Sequence, residues 1–188
     1  SEPPLITSLT YKTAFQQLGT ITDPRGKVTE YFYDAASNLQ RIQLPSVPEG
    51  SPQQLFSVNG FGQVTTISDE NGHATRFVYD ANGYLDQITR AFGTPIAATT
   101  ELDPDAVGRP TVLHDPNLHT TSLVYNARDE LELSFAPPPL GFLTQRHYDA
   151  NGNLAQIDRQ SELAGNPQTT RLGYTVFDQL ASITNELG

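Results

Sequence analysis

The sequence contains no cysteine, no methionine and no tryptophan, and cations are scarce, with 11 Lys and Arg against 21 Asp and Glu in 188 residues. Without cysteine there is no disulfide framework and no thiolate chemistry, and this lack fits a reducing cytosol as well as a bacterial exterior. The formal net charge of −10 and a pI near 4.6 give a surface that repels phosphate backbones and anionic lipids. Nucleic acid is therefore excluded as a partner. No run approaches the roughly 18 apolar residues of a membrane-spanning helix, so membrane insertion is not expected. The opening residues do not read as a signal peptide. Position 1 is Ser rather than Met, which points to a processed chain or a piece of something longer.

What the chain does have is a repeat. YDANGNLAQI runs from Tyr148 to Ile157, and YDANGYLDQI, nearly the same ten residues, from Tyr79 to Ile88. An acid and an Asn-Gly pair followed by alternating aliphatics spell a tight turn leading into a β-strand. With these blocks as a ruler, units start at Lys12, Tyr33, Val58, Tyr79, Pro104, Tyr125, Tyr148 and Tyr174. Six positions on stand Leu18, Leu39, Val64, Leu85, Pro110, Leu131, Leu154 and Leu180. Nine positions on stand Ile21, Ile42, Ile67, Ile88, Leu113, Ser134, Ile157 and Ile183. Seven of eight are aliphatic at each offset, and such a repeat decides the architecture before any local reading does.

Each unit also carries a second strand. Thr29–Tyr33, Thr75–Tyr79 and Thr121–Tyr125 place Thr, an apolar residue and Tyr at alternate positions, the period of two that marks β-structure. Thr144–Tyr148 and Thr170–Tyr174 repeat this more loosely. The short stretch Thr13 to Leu18 reads as the first strand pair of a degenerate opening repeat rather than as helix.

Successive starts are 21, 25, 21, 25, 21, 23 and 26 residues apart. Short units turn through Asp23-Pro24-Arg25-Gly26, Asp69-Glu70-Asn71-Gly72 and Asp115-Pro116-Asn117-Leu118, where Asp caps the bend and Gly or Asn accepts positive φ. Long units replace that turn by loops such as Pro45–Pro52, Pro137–Gly141 and Leu163–Pro167. Over six units the alternation gives a super-period of about 46 residues, so the long loops leave from one edge of the sheet, every second hairpin. No domain boundary interrupts the array over 1–188, and only residues 1–4 read as linker.

The YDANGNL and YDANGYL blocks, followed by D-x-x-G-x-x-T-x-x-x-Y, resemble the YD repeat of Rhs proteins, of the shell of bacterial Tc toxins and of teneurins. The resemblance runs from about Lys12 to Gly188. It implies an all-β array of antiparallel hairpins forming a curled or spiralling β-strip, which in that family often encloses a toxic polypeptide. It also implies that Tyr33, Tyr79, Tyr125, Tyr148 and Tyr174 are repeat tyrosines and Asp34, Asp80, Asp105 and Asp149 their partner acids. Gly83, Gly108 and Gly152 take the repeat glycine position. The chain departs from the pattern at Lys12-Thr13, Val58-Asn59 and Pro104-Asp105. Asp23-Pro24-Arg25-Gly26 has the spelling of a family self-cleavage motif but sits in a repeat turn, so no autoproteolysis is expected.

A hairpin alone is marginal in water, so each unit must bury its faces against its neighbours. About 15 strands of this spacing make a narrow strip that must curl, twist or stack to cover its Leu, Ile and Tyr rows. Both end strands are open to flanking repeats or identical subunits.

Chemistry beyond structure is weakly spelled. Asp69-Glu70-Asn71-Gly72 and Asp103-Pro104-Asp105 lack EF-hand ligand spacing, and a pair such as His114 and His119 falls short of the three or four ligands of zinc. Neither metal nor cofactor is expected. Ser57 and Ser134 lack a nucleophile context, and the acids sit in turns at the repeat period, which favours capping over acid/base work. Regularly spaced aromatics also stack on sugars, with Tyr79 and Tyr148 the candidate glycan contacts, although strand tyrosines more often pack against the next repeat. The expected protein is thus non-enzymatic: an Rhs-type extracellular or toxin-encapsulating shell segment of a bacterium. The alternatives are a self-assembling fibre or tube subunit and a glycan-binding surface adhesin. The encapsulated toxin or glycan would be the remaining partner.

Overall fold

The computed structural model describes residues 5–136, 141–161 and 168–186. The expected linker at 1–4, most of the loop Pro137–Gly141 and the loop Leu163–Pro167 lie outside these residues. Contacts cluster into two units, residues 1–79 with 87–99, and residues 80–86 with 100–188.

The first unit contains Ser8–Tyr11 (β1), Leu18–Thr22 (β2), Val28–Tyr33 (β3), Leu39–Gln43 (β4), Gln53–Val58 (β5), Val64–Ser68 (β6) and Ala74–Tyr79 (β7). Leu85–Arg90 (β8) and Ala98–Pro104 (β9) have residues in both units. The second unit adds Pro110–His114 (β10), Thr120–Tyr125 (β11), Leu131–Ala136 (β12), Phe142–Tyr148 (β13), Leu154–Ser161 (β14), Gln168–Tyr174 (β15) and Leu180–Glu186 (β16). The strands are ordered as in the chain, β1 to β16, in one open antiparallel sheet. This is the hairpin array that the repeat predicts, with 16 strands among the described residues rather than about 15 because β1 precedes the first repeat start.

The Thr13–Leu18 reading needs correction. Residues 13–16 are the turn of the β1–β2 hairpin, closed by the Lys12 N–H donating to the Gln17 carbonyl at 2.7 Å, with Phe15 and Gln16 at positive φ. The opening pair is β1 and β2 themselves.

Register explains the repeat offsets. Tyr33 stands opposite Leu39, Val58 opposite Val64, Tyr125 opposite Leu131, Tyr148 opposite Leu154 and Tyr174 opposite Leu180, so the six-residue offset spans one hairpin turn. In each case the register slips immediately inside that turn, a bulge that increases local twist. The nine-residue offset brings the aliphatic row opposite the alternating strand, as in Ile42 against Tyr31 and Ile67 against Phe56.

One face of the first unit therefore carries Ile21, Tyr31, Ile42, Phe56 and Ile67, while the other carries polar ladders such as Thr20–Glu30–Gln43–Gln53. On that polar face the Arg41 guanidinium lies 3.8 Å from the Phe32 ring centroid, a cation–π contact. The second unit repeats the pattern, with Leu113, Leu123 and Ile157 on one face and Gln145–Asp158–Thr169–Glu186 on the other. Among the described residues no hydrophobic side chain is fully buried; the aliphatic and aromatic rows are mostly half-covered by their cross-strand neighbours.

Candidate functional site

Ten turns of the described residues share one geometry, and they begin at Asp23, Asp34, Asn59, Asp69, Asp80, Asp105, Asp115, Asn126, Asp149 and Thr175. In each, the first N–H donates to the fifth carbonyl and the fourth N–H to the first carbonyl. The fourth residue has positive φ in all ten, including Gly83 and Gly152 in the Asn-Gly turns. That is the type I turn plus left-handed residue of three-residue hairpin loops. Ser37, Leu118, Asp129 and Asp178 hold the same conformation without being glycine, which shows how firmly the flanking bonds impose it.

The flanking bonds come from the first side chain. Asp34 Oδ1 accepts the N–H of Ala36 and Asn38, Asp80 Oδ1 those of Asn82 and Tyr84, Asp105 Oδ1 those of Val107 and Arg109, and Asp149 Oδ1 those of Asn151 and Asn153. Asn59 and Asn126 do the same with an amide oxygen, and Thr175 with its hydroxyl at a longer 3.3 Å. The second carboxylate oxygen often grips the fifth side chain: Asn38 on Asp34, Arg109 on Asp105, His73 on Asp69, His119 on Asp115 and Asn153 on Asp149.

These bonds depress the carboxylates. Asp34 is held low chiefly by the Asn38 amide, Asp69 by His73, Asp115 by His119 and Asp149 by the Asn153 N–H. At Asp105 desolvation pushes upward, and the Arg109 guanidinium with two backbone N–H groups outweighs it.

The repeat tyrosines do a separate job, and it is the same in both units. The hydroxyl of Tyr33 donates to the Leu18 carbonyl at 3.0 Å and that of Tyr79 to the Val64 carbonyl at 2.8 Å. Tyr125 reaches Pro110 O at 2.9 Å, Tyr148 reaches Leu131 O at 2.9 Å, and Tyr174 reaches Leu154 O at 3.0 Å. Every acceptor is the six-on residue of the preceding repeat. Phenylalanine has the ring but not the donor for this bond. Sequence reasoning missed this bond, although the constant Tyr-to-aliphatic spacing was its signal. Tyr79 and Tyr148, the candidate glycan contacts, thus have their hydroxyls on backbone carbonyls.

Within the second unit consecutive turns are also tied to one another. Arg109 bridges Asp105 and Asp129, Arg128 donates to the carbonyls of Asp149 and Ala150, and the amides of Asn151 and Asn153 converge on Asp178 Oδ1. Earlier, Gln17 Nε2 reaches the Ser37 carbonyl at 2.7 Å.

The histidines do not meet. His114 faces Asp103 and Thr120, His119 faces Asp115, His73 faces Asp69, and His147 Nε2 sits 2.9 Å from Asp158 Oδ2. Among the described residues no group of three or more His, Cys, Asp or Glu converges, and no helix is long and apolar enough to cross a membrane.

The fold is shared with solved proteins. Residues 59–95 match the RHS Repeat family. The hairpin array thus resembles an Rhs/YD-repeat domain. A TcdB2-TccC3-Cdc42 structure superposes with a TM-score of 0.69 at 19% identity, over 94% of this chain and 10% of that one. TcdB2-TccC3 without its hypervariable C-terminal region gives 0.70 at 19% over 98% of this chain, and a Photorhabdus luminescens Tc holotoxin pore gives 0.66 at 19% over 90%. The chain spans about a tenth of the length of these solved chains, which share its fold. No curated protein sequence matches it.

Proposed function

We propose that this chain is a non-enzymatic, structural segment of an extracellular or cell-surface Rhs-type β-shell from a bacterium. The carrying observation is the repeated tyrosine-to-carbonyl bond. In five repeats the same side chain ties a hairpin to its predecessor, so the groups that recur are spent on propagating a sheet. Clefts with convergent polar groups of perturbed acidity mark active sites; here the depressed carboxylates all serve turns or cross-strand pairs. The acidic surface and the likeness to Tc toxin structures support a secreted wall rather than a nucleic-acid or lipid binder. The gene around this segment tests the reading: further YD repeats beside it support it, and a chain with none overturns it.

A second reading has its own observation. β1 and β16 are exposed along their whole length, and Val176 and Phe177 in the last turn are 92% and 80% exposed. Unpaired apolar edges template pairing, so copies of this chain joining end to end make a fibre or tube subunit. Light scattering over a concentration series distinguishes it: growth in mass supports it, and a constant monomer mass overturns it.

A further inference from the structure

Four Asn-Gly pairs stand in these turns, at Asn59-Gly60, Asn71-Gly72, Asn82-Gly83 and Asn151-Gly152. Glycine after asparagine leaves the following backbone nitrogen sterically open to the asparagine side chain. Three of the four asparagines have that side chain tied down. Asn59 Oδ1 accepts two backbone N–H groups while its Nδ2 donates to Gln63. Asn82 Nδ2 donates to Asp80 Oδ2 at 3.3 Å, and Asn151 Nδ2 to Asp178 Oδ1 at 2.9 Å. The Asn71 carboxamide differs: it is exposed and has no hydrogen-bond partner among the described residues. It borders a shallow, open recess lined by Val47, Glu49 and Gly50, so water reaches it.

We infer that Asn71-Gly72 is a site of spontaneous deamidation, and that the turn-to-turn contact from Asp178 shields Asn151-Gly152 from the same reaction. The Gly72 amide nitrogen attacks Asn71 Cγ. The N–Cγ bond forms, the Cγ–Nδ2 bond breaks, and ammonia leaves with the amide proton. Water then opens the succinimide at either carbonyl, giving aspartate or isoaspartate. Attack requires the Gly72 N–H to release the Asp69 carbonyl, which it holds at 3.0 Å, so the folded turn slows the reaction without preventing it. That bond is equivalent at Gly83 and Gly152, at 3.1 Å each, so side-chain freedom decides between these three sites. The isoaspartate product lengthens the backbone by one carbon and adds a negative charge within the Asp69 turn. A slow chemical clock is thus built into the edge that carries the loop Pro45–Pro52.

The test is peptide mapping by mass spectrometry of the whole chain held at neutral to mildly alkaline pH, folded and in concentrated urea. Folded, Asn71 converts several-fold faster than Asn59, Asn82 and Asn151; in urea the four rates converge. An Asn71 no faster than Asn151 in the folded chain overturns the site, and a lead that persists in urea assigns it to local sequence rather than to the fold. Asp178→Ala accelerates Asn151 alone, with circular dichroism confirming that the variant stays folded. An unchanged Asn151 rate in that folded variant overturns the shielding.

Discussion

The Tyr84 ring lies over Gly108, so close that a Cβ at position 108 would meet Tyr84 Cδ1 at 2.5 Å and Cε1 at 2.7 Å. The Tyr84 hydroxyl also donates to the neighbouring Ala106 carbonyl at 3.3 Å. Gly108 is moreover at φ +88, so a side chain there is strained as well as crowded. Gly108→Ala should destabilise the fold by about 1–3 kcal/mol, the usual range for overpacking. Adding Tyr84→Ala should relieve the steric share and leave the backbone share. Chemical denaturation of the two variants measures both, and a Gly108→Ala midpoint equal to that of the parent contradicts the contact.

Acid should loosen the turns in a set direction. Asp34, Asp69, Asp105, Asp115, Asp149 and Asp158 all lie below their ordinary value of 3.8 in the fold, Asp158 chiefly through the Thr169 hydroxyl. A depressed folded value means stability that is complete above 3.8 and lost as pH falls through the depressed values. Thermal melting followed by circular dichroism should hold steady above about pH 5 and fall steadily below about pH 4. Asp115→Asn keeps an oxygen acceptor for Asn117 and His119 but has no charge to lose, so its acid decline should be shallower.

The end strands give a third expectation. Leu9 on β1 and Ile183 on β16 are 50% and 59% exposed on strands with one open edge each. Lysine is the residue natural sheets use to block such edges. Leu9→Lys and Ile183→Lys should reduce any concentration-dependent growth in mass without altering the β-sheet spectrum. If the variants associate as the parent does, the edges are not the contact.

Much of this was legible in the sequence, because turn chemistry and strand period are local. Asp or Asn at the head of nine of the ten described turns, glycine at the fourth position of six, and the Tyr-to-aliphatic spacing all correspond to bonds or pairings in the structure. What was not legible depended on neighbours far along the chain. The tyrosine acceptors lie 15 to 20 residues upstream, on the preceding strand. Leu118 and Asp178 adopt positive φ against their own preference because the turn bonds outweigh it. Phe15 and Gln16 misled for a related reason: neither is a turn-forming residue, yet both bend back at positive φ where β1 meets β2.

The central claim is that the repeat tyrosines hold consecutive hairpins together through their hydroxyls. Tyr→Phe at 33, 79, 125, 148 and 174, made singly and then together, tests it by denaturant unfolding. Each single change should cost about 1 kcal/mol, the net worth of one hydrogen bond, and the five together should lower the midpoint cumulatively while the β-spectrum persists. A five-fold Phe variant as stable as the parent would contradict the claim.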